Sequence, residues 1–241
     1  DFDAAAVGEH LLQGVLDFGR MGEAQVHDVH LEHRQVLDLL ARPLYRQLHP
    51  TRNLETLKGV GQDSAAIYIA FIGDIQRFPS LRDFRGWSGM IPFSSQSGEA
   101  EARGLHITKA GPNLIKATAF LNAQVARLWD PQIAAIYHKQ MVVHGKHHLQ
   151  AVCACATHLL DRIYALLRED RPYQLCDVDG SPLDKPQARR ICKEQYHVPD
   201  EVRRRNNHRA RKARQEQQAR AEGKRRPVPE RVRAAVSVLP G

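Results

Sequence analysis

Apolar side chains recur at spacings of three and four over the second half of the chain, and this periodicity constrains the fold more than any other feature. It marks three successive segments, which begin at Pro112, at Pro131 and near Lys146. The apolar face of the first segment consists of Leu114, Thr118, Leu121, Val125 and Leu128. That of the last consists of Leu149, Val152, Cys153, Ala156, Leu160, Ile163 and Leu167. One face of an α-helix repeats in this way, so the sequence predicts a mainly α fold.

Composition supports a globular protein without a membrane span. Hydrophobic residues make up 42% of the 241 residues, which is enough for a core in one large domain or two small ones. The longest unbroken apolar run is Ala65 to Ile72, whereas a bilayer needs about 20 residues. The first ten residues are acidic and lack an apolar signal segment, and the four cysteines include no CxxC pair. We expect a reduced, cytoplasmic protein with no membrane partner.

Three regions follow one another along the chain. Residues 1–50 carry the spaced apolar residues of a helical, coiled-coil-like linker, and no initiator Met precedes them, which suggests a piece of something longer. Residues 51–175 form the predicted domain. Residues 176–241 are expected to be a basic, largely disordered tail, because the stretch 203–226 has no large apolar residue.

Positive charge is concentrated in this tail. Residues 201–241 hold 13 of the 35 Lys and Arg residues against four Glu, so residues 1–200 carry a net charge of −1 and the whole chain +8. A basic tail predicts a polyanionic partner, and nucleic acid is the first candidate. A merely solvated extension is the alternative.

A pair of glycines between two short predicted helices indicates a helix-hairpin-helix. Lys58-Gly59-Val60-Gly61 follows Leu54 and Leu57 and precedes Ala65. Glycines permit positive φ and leave the backbone bare, so the N–H groups of the second helix can hold a DNA phosphate beside Lys58. Val60 is expected to fill the core and Ala65 to let the helices approach. The alternative is an ordinary αα-hairpin that binds nothing.

A serine in a glycine-rich segment is the candidate nucleophile. Residues 86–112 show little periodicity and predict an irregular loop that contains Gln96-Ser97-Gly98. A serine hydroxyl needs activation, and attack on a phosphodiester also needs cations, which Arg103, Lys109 and Lys116 could supply. From the residues alone, a turn role for Ser97 is the more common case.

The ordered set of short motifs resembles one transposase family. The motifs are Leu57-Lys58-Gly59-Val60-Gly61, Ile72-Gly73-Asp74-Ile75-Gln76-Arg77-Phe78, Gly89-Met90-Ile91-Pro92, Gln96-Ser97-Gly98, Ile107-Thr108-Lys109-Ala110-Gly111 and Gly145-Lys146. Over about residues 50–175 they resemble the C-terminal domain of insertion-sequence transposases of the IS110/IS116 type.

The resemblance implies a DNA transposase or recombinase that is guided by an RNA from its own element. It implies that Ser97 is the nucleophile, joined transiently to DNA, in a composite site that a homo-oligomer assembles. It also implies a preceding RuvC-like domain whose Asp-Glu-Asp-Asp residues bind divalent metal, expected to be Mg²⁺. Of that domain only Asp3 could survive here as a ligand, and a solvated terminal acid is the alternative. We therefore expect no metal in this chain by itself.

One pair of residues departs from the usual family pattern, and one group of possible metal ligands is unsuitable. Ile115-Lys116 replaces the Leu-Arg typical of the family, and a lysine lacks the bidentate fork of arginine. The histidines and cysteines between residues 144 and 158 do not suit one ion, because Cys153 and Cys155 lie about 200° apart on a helix. The alternatives to an active transposase are a non-catalytic helix-hairpin-helix DNA-binding module and a decayed remnant.

Overall fold

The computed structural model describes residues 42–90, 96–97, 100–101 and 111–223, and these residues are mainly α-helical, as predicted. The helices are α1 (Arg42–Leu48), α2 (Gln62–Ile72), α3 (Leu81–Ser88), α4 (Asn113–Ala126), α5 (Pro131–His138), α6 (His148–Glu169), α7 (Lys185–Glu194) and α8 (Asp200–Gly223). Single 3-10 turns lie at Asn53–Thr56 and Ile75–Arg77, and a π-helical turn lies at Lys139–Val143. Two short strands, β1 (Gln96–Ser97) and β2 (Ala100–Glu101), pair antiparallel. None of the helices in these ranges is both long and apolar enough to cross a membrane.

Helix α6 is the centre of the core. It packs against α3, α4 and α5, and its residues Val152, Leu160 and Ile163 are at most 1% exposed. Complete burial of such a side chain stabilises the fold by about 1.5–3 kcal/mol. At its edge the Arg85 guanidinium donates two hydrogen bonds, of 2.6 and 2.5 Å, to the carboxylate of Asp161 and thereby joins α3 to α6. Helix α5 begins at Pro131, as predicted, whereas α4 begins at Asn113, one residue after the predicted Pro112.

The apolar face predicted for α4 is confirmed at Thr118, which is 6% exposed, and is wrong at Leu121, Val125 and Leu128. The helix buries Ile115, Ala119 and Ala123, whereas Leu121 is 64% exposed and Val125 and Leu128 are 45% and 49% exposed. The buried face is made mostly of small residues because the backbone of α4 lies close to its neighbours. Apart from Ile115, the large aliphatic side chains of α4 therefore do not form its buried face.

The apolar stripe predicted for α6 is confirmed at Val152, Ala156, Leu160 and Ile163 but is offset at its start. Cys155, rather than Cys153, is fully buried, and Leu149 lies on the surface. Burial raises the pKa of the Cys155 thiol to about 12, so this cysteine serves as a small apolar core residue. The offset arises because the buried positions start at Ala151 and Val152 rather than at Leu149.

The disorder predicted for residues 176–241 is wrong for α7 and α8. Helix α7 begins with a capping box in which Asp184 and Gln187 satisfy each other's backbone N–H groups, and it buries Cys192. Helix α8 is held by polar contacts instead of an apolar stripe. The Asn206 side chain, 2% exposed, donates a 2.8 Å hydrogen bond to the carbonyl of Met141, and His148 N donates to Asn207 Oδ1 at 3.0 Å. Residues 224–241 lie outside the described ranges.

Candidate nucleic-acid interface

The glycines of the predicted hairpin lie between a 3-10 turn and an α-helix. The first is the 3-10 turn Asn53–Thr56 and the second is α2. Val60 is 5% exposed and Ala65 is fully buried, which confirms the packing roles predicted for both. The turn is therefore built into the core from its apolar side.

The two glycines of this turn have different reasons to be glycine. Gly59 has φ +90°, and a Cβ at this position would lie 2.3 Å from the carbonyl oxygen of Asn122 and 3.0 Å from the amide nitrogen of Ala126. It is therefore required both by its backbone conformation and by close packing on α4. Gly61 has φ −97° and ψ 178°, with nothing near its Cβ position, so the positive φ expected there is wrong. Gly61 is the exposed N-cap residue of α2.

The N-terminus of α2 already has an acidic side chain beside it. Asp63 lies in the first turn, and Arg42 donates hydrogen bonds of 2.5 and 2.9 Å to its two carboxylate oxygens. A carboxylate at a helix N-terminus interacts favourably with the helix dipole. A phosphate that approached the same N–H groups would meet this negative charge, with Arg42 as its counter-ion.

A second lysine lies near Lys58. Burial lowers the pKa of the half-buried Lys58 amine, the charge of Lys185 lowers it further and Asp130 opposes both. Lys185 is the first residue of α7, distant from Lys58 in sequence. No local pattern relates the two positions, and the sequence analysis consequently missed Lys185.

Ser97 lies next to the turn of a β-hairpin. It pairs with Ala100, and Gln96 pairs with Glu101, so only residues 98 and 99 separate the strands. The structure thus differs from the wholly irregular loop that was predicted, because four of its residues form a ladder.

The loop that carries this hairpin is fastened at its base. A Cβ at Gly111, which has φ +78°, would lie 2.4 Å from the carbonyl oxygen of Trp87 and 2.6 Å from the backbone of Ser88. On the other side, Met90 is 4% exposed and its carbonyl accepts a 3.0 Å hydrogen bond from Thr157 Oγ1. The chain therefore leaves and re-enters the helical body at one place.

The cations predicted around Ser97 are only partly described. Lys116 is half-buried in the first turns of α4, close after Gly111. Arg103 and Lys109 lie outside the described residues, as does Asp3, the candidate metal ligand. Within the described ranges, no group of three or more His, Cys, Asp or Glu residues is arranged to hold a metal ion.

A comparison with protein families matches residues 51–138 to the transposase family IS116/IS110/IS902. The matched region contains the hairpin turn, the Ser97 strand pair, α4 and α5. The chain thus carries a region similar to this transposase domain, in agreement with the family that the motifs indicated.

Curated relatives give the same picture. The chain is 28% identical over 144 residues to the insertion element IS110 uncharacterized 43.6 kDa protein of Streptomyces coelicolor, which covers 59% of this chain and 35% of that protein. It is 26% identical over 125 residues to the pilin gene-inverting protein of Moraxella bovis, covering 52% and 39%. It is 26% identical over 137 residues to the insertion element IS900 uncharacterized 42 kDa protein of Mycobacterium paratuberculosis, covering 56% and 34%. The chain thus matches little more than a third of each relative's length.

Proposed function

We propose that this chain is the serine-bearing part of a DNA transposase or recombinase of the insertion-sequence type. The observation that carries the proposal is the family match over residues 51–138, which includes the Ser97 hairpin. Similarity to the pilin gene-inverting protein supports rearrangement of DNA as the reaction class. DNA is the proposed substrate.

The proposed reaction is a transesterification at phosphorus. Ser97 Oγ attacks a backbone phosphodiester, a Ser–O–P bond forms, the bond from phosphorus to one sugar oxygen breaks, and the hydroxyl proton ends on that leaving oxygen. Attack by a sugar hydroxyl of the other strand reverses these steps and releases Ser97. Arg103, Lys109 and Lys116 are proposed to stabilise the charge on the phosphoryl oxygens. The position of Ser97 beside a turn supports this role, because a hairpin tip can reach a DNA backbone.

Two faces are proposed to hold the DNA during this reaction. Lys58, together with the turn Gly59-Val60-Gly61 and the neighbouring Lys185, would bind backbone phosphates without sequence preference. The basic residues beyond position 201 would add further phosphate contacts. A guide RNA and a homo-oligomer remain proposals that rest on the resemblance.

Divalent metal is proposed to come from the acidic domain of a complete protein, where it would lower the pKa of a reacting hydroxyl and stabilise the leaving oxygen. The described residues do not fit such an ion, and Asp3 lies outside them. This chain by itself is accordingly expected to bind duplex DNA and not to exchange strands, and strand transfer by the purified chain with Mg²⁺ would contradict that expectation.

The test of the proposal is Ser97→Ala in a strand-exchange assay with the acidic domain supplied. Loss of the hydroxyl should abolish exchange and leave DNA binding nearly unchanged, since alanine cannot form the phosphoester. Ser94→Ala and Ser95→Ala are matched controls from the same loop and should remain active. A protein–DNA adduct that survives denaturant should form with the unmodified chain and not with the Ser97→Ala variant. Exchange that persists in Ser97→Ala would refute the serine mechanism.

A further inference from the structure

A cleft lined by cations and aromatic rings lies between the α4–α5 corner and the start of α8. Its volume is about 310 Å³. Its basic lining residues are Arg127, Arg189, Lys193 and Arg203, and its aromatic ones are Trp129, Tyr137 and Tyr196. The hairpin turn and the Ser97 strands do not contribute to it. About two thirds of its lining residues come from α7, the start of α8 and the segment between them, outside the region matched to the transposase family.

Positive charge in this cleft is not neutralised by the described residues around it. Among these residues, Asp200 is the one carboxylate in the lining. Within the described part of the chain, none of the four basic side chains forms an ion pair with a carboxylate. Arg127 Nε is buried and has no hydrogen-bond partner there. A buried donor without a partner is unusual in a folded protein, so the hydrogen-bonding capacity of the Arg127 guanidinium is not used up by the described residues.

Aromatic rings hold two of the guanidinium groups in position. Cζ of Arg189 lies 3.9 Å from the centre of the Trp129 ring, and Cζ of Arg127 lies 4.6 Å from the centre of the Tyr137 ring. In a cation–π contact the guanidinium lies over the face of the aromatic ring. The N–H groups of the guanidinium lie in its own plane and therefore remain available to an anion. The rings therefore fix these charges in place without cancelling them.

The pKa of the neighbouring residue His148 is consistent with a positive potential in this cleft. Burial lowers the pKa of His148, and the charges of Arg127 and Arg203 lower it further. These two arginines come from the end of α4 and from α8, and they converge near one imidazole. An anion bound between them would interact with both.

We propose that this cleft binds single-stranded nucleic acid, with one backbone phosphate between Arg127 and Arg203 and an adjacent base against the Trp129 and Tyr196 side of the cleft. Cations interleaved with aromatic rings are the chemistry that single strands require. A volume near 300 Å³ is at the lower end of small-molecule pockets and can take one nucleotide, whereas the stacked pairs of a duplex cannot enter it. The proposal does not depend on Ser97 or on strand exchange, because it concerns binding alone.

Trp129 provides a direct probe of the cleft. The chain has two tryptophans, so Trp87→Phe leaves Trp129 as the sole indole emitter. Trp87 packs among Phe78 and Phe84, where a phenylalanine can replace it. Titration with an oligothymidylate and with an oligouridylate of equal length should change the Trp129 emission until saturation. The two titrations separate a DNA strand from an RNA strand as the preferred ligand, and either one supports the proposal.

Arg203→Gln in this background should weaken that binding about tenfold. Both Arg203 and its neighbour Arg204 are exposed on α8, but only Arg203 lines the cleft, so Arg204→Gln is a control with the same charge change on the same helix. Lys193→Gln, on α7, is a second exposed variant that should also weaken binding. Equal weakening by Arg203→Gln and Arg204→Gln, a Trp129 signal that inorganic phosphate alone reproduces at the same concentration, or no signal at all would overturn the proposal. A failure here would leave the Ser97 experiment unaffected.

Discussion

The hairpin turn at residues 58–61 and the cleft around Arg127 are both proposed to bind phosphate. They differ in how far the amino-acid sequence reveals them. The turn is conspicuous in the sequence, yet one of its glycines is packed against α4 and the helix that follows carries Asp63 at its N-terminus. The cleft leaves no trace in the sequence, yet it gathers four basic side chains that no carboxylate in the described residues pairs with. A motif can owe its glycines to packing, and a charged surface can arise from residues far apart in the chain.

The largest expected effect is the difference in stability between alanine variants of the two glycines of the turn. Gly59→Ala should lower the free energy of unfolding by about 3 kcal/mol or more, because the new Cβ would meet the Asn122 carbonyl and the backbone has positive φ. Gly61→Ala should change it by less than about 1 kcal/mol, since its φ is −97° and its surroundings are open. Urea unfolding of both variants measures the difference. Equal effects would mean that the turn does not pack on α4 in this way.

Lys58→Gln tests whether the turn also binds DNA. Removal of one phosphate contact should reduce the slope of log K against log salt by about 0.9 and weaken duplex binding a few-fold. Fluorescence anisotropy with a duplex at several salt concentrations gives the slope. The Trp129 response to a single strand should stay the same. A slope that does not change would assign the turn to packing alone.

Asp63→Asn should strengthen duplex binding, whereas Lys58→Gln should weaken it. If a phosphate binds at the N-terminus of α2, loss of the Asp63 carboxylate removes a repulsion beside those N–H groups, so duplex affinity should rise about two- to fivefold, or up to about 1 kcal/mol. The same anisotropy titration measures it. An affinity that falls or stays constant would place the phosphates elsewhere on the molecule.

The smallest expected effect is on pH dependence near the cleft. The pKa of His148 is lowered by burial and by Arg127 and Arg203, so the unfolded state, with a pKa of about 6.5, binds a proton more readily than the folded state. The contribution of His148 to the free energy of unfolding is therefore fully present above that pKa and is lost as the pH falls below it. After allowance for solvent, His148 should contribute less than about 1 kcal/mol.

His148→Gln should make the loss of stability between pH 7.5 and 5.5 smaller, although His49, His147 and His158 also have lowered pKa values and will keep part of it. An oligothymidylate in the cleft should reduce the loss in the unmodified chain, because a bound phosphate favours the protonated imidazole. Thermal unfolding at the two pH values, with and without the oligonucleotide, measures both effects. An oligonucleotide that leaves the loss unchanged would argue against an anion beside His148.

The helices were largely predictable and their faces were not. Pro131 after Asp130 fixed the start of α5, and Asp130 caps it with hydrogen bonds of 2.9 and 3.2 Å from the amides of Gln132 and Ile133. On α4 the larger side chains were taken for the core, but Gly59 brings another backbone close to Asn122 and Ala126, and the buried face there consists mostly of small residues. Size and periodicity do not reveal how closely two backbones approach.

The candidate site also contains features that the sequence predicted and features that it did not. Ser97 was found through a local motif, and its pairing with Ala100 was not, since short strands give little periodicity. Helix α8 was missed because Asn206 anchors it through hydrogen bonds to the carbonyls of Met141 and Lys146, at 2.8 and 3.2 Å, and polar anchors do not produce an apolar pattern. The cleft joins residues 127 and 203, and no rule for neighbouring positions could have paired them.

The two ends of the segment that contains Ser97 are held close together, and this affects which changes in length the chain can tolerate during evolution. Twenty positions separate Met90 from Gly111; Gly111 packs on the end of α3, and Met90 is hydrogen-bonded to Thr157 of α6. The entropy cost of closing a loop grows only with the logarithm of its length, by about 0.6 kcal/mol for each doubling. Insertions and deletions between these anchors should therefore be tolerated by the helical body. Selection can change the length and the reach of the segment that carries Ser97, the proposed nucleophile, without rebuilding the fold that supports it.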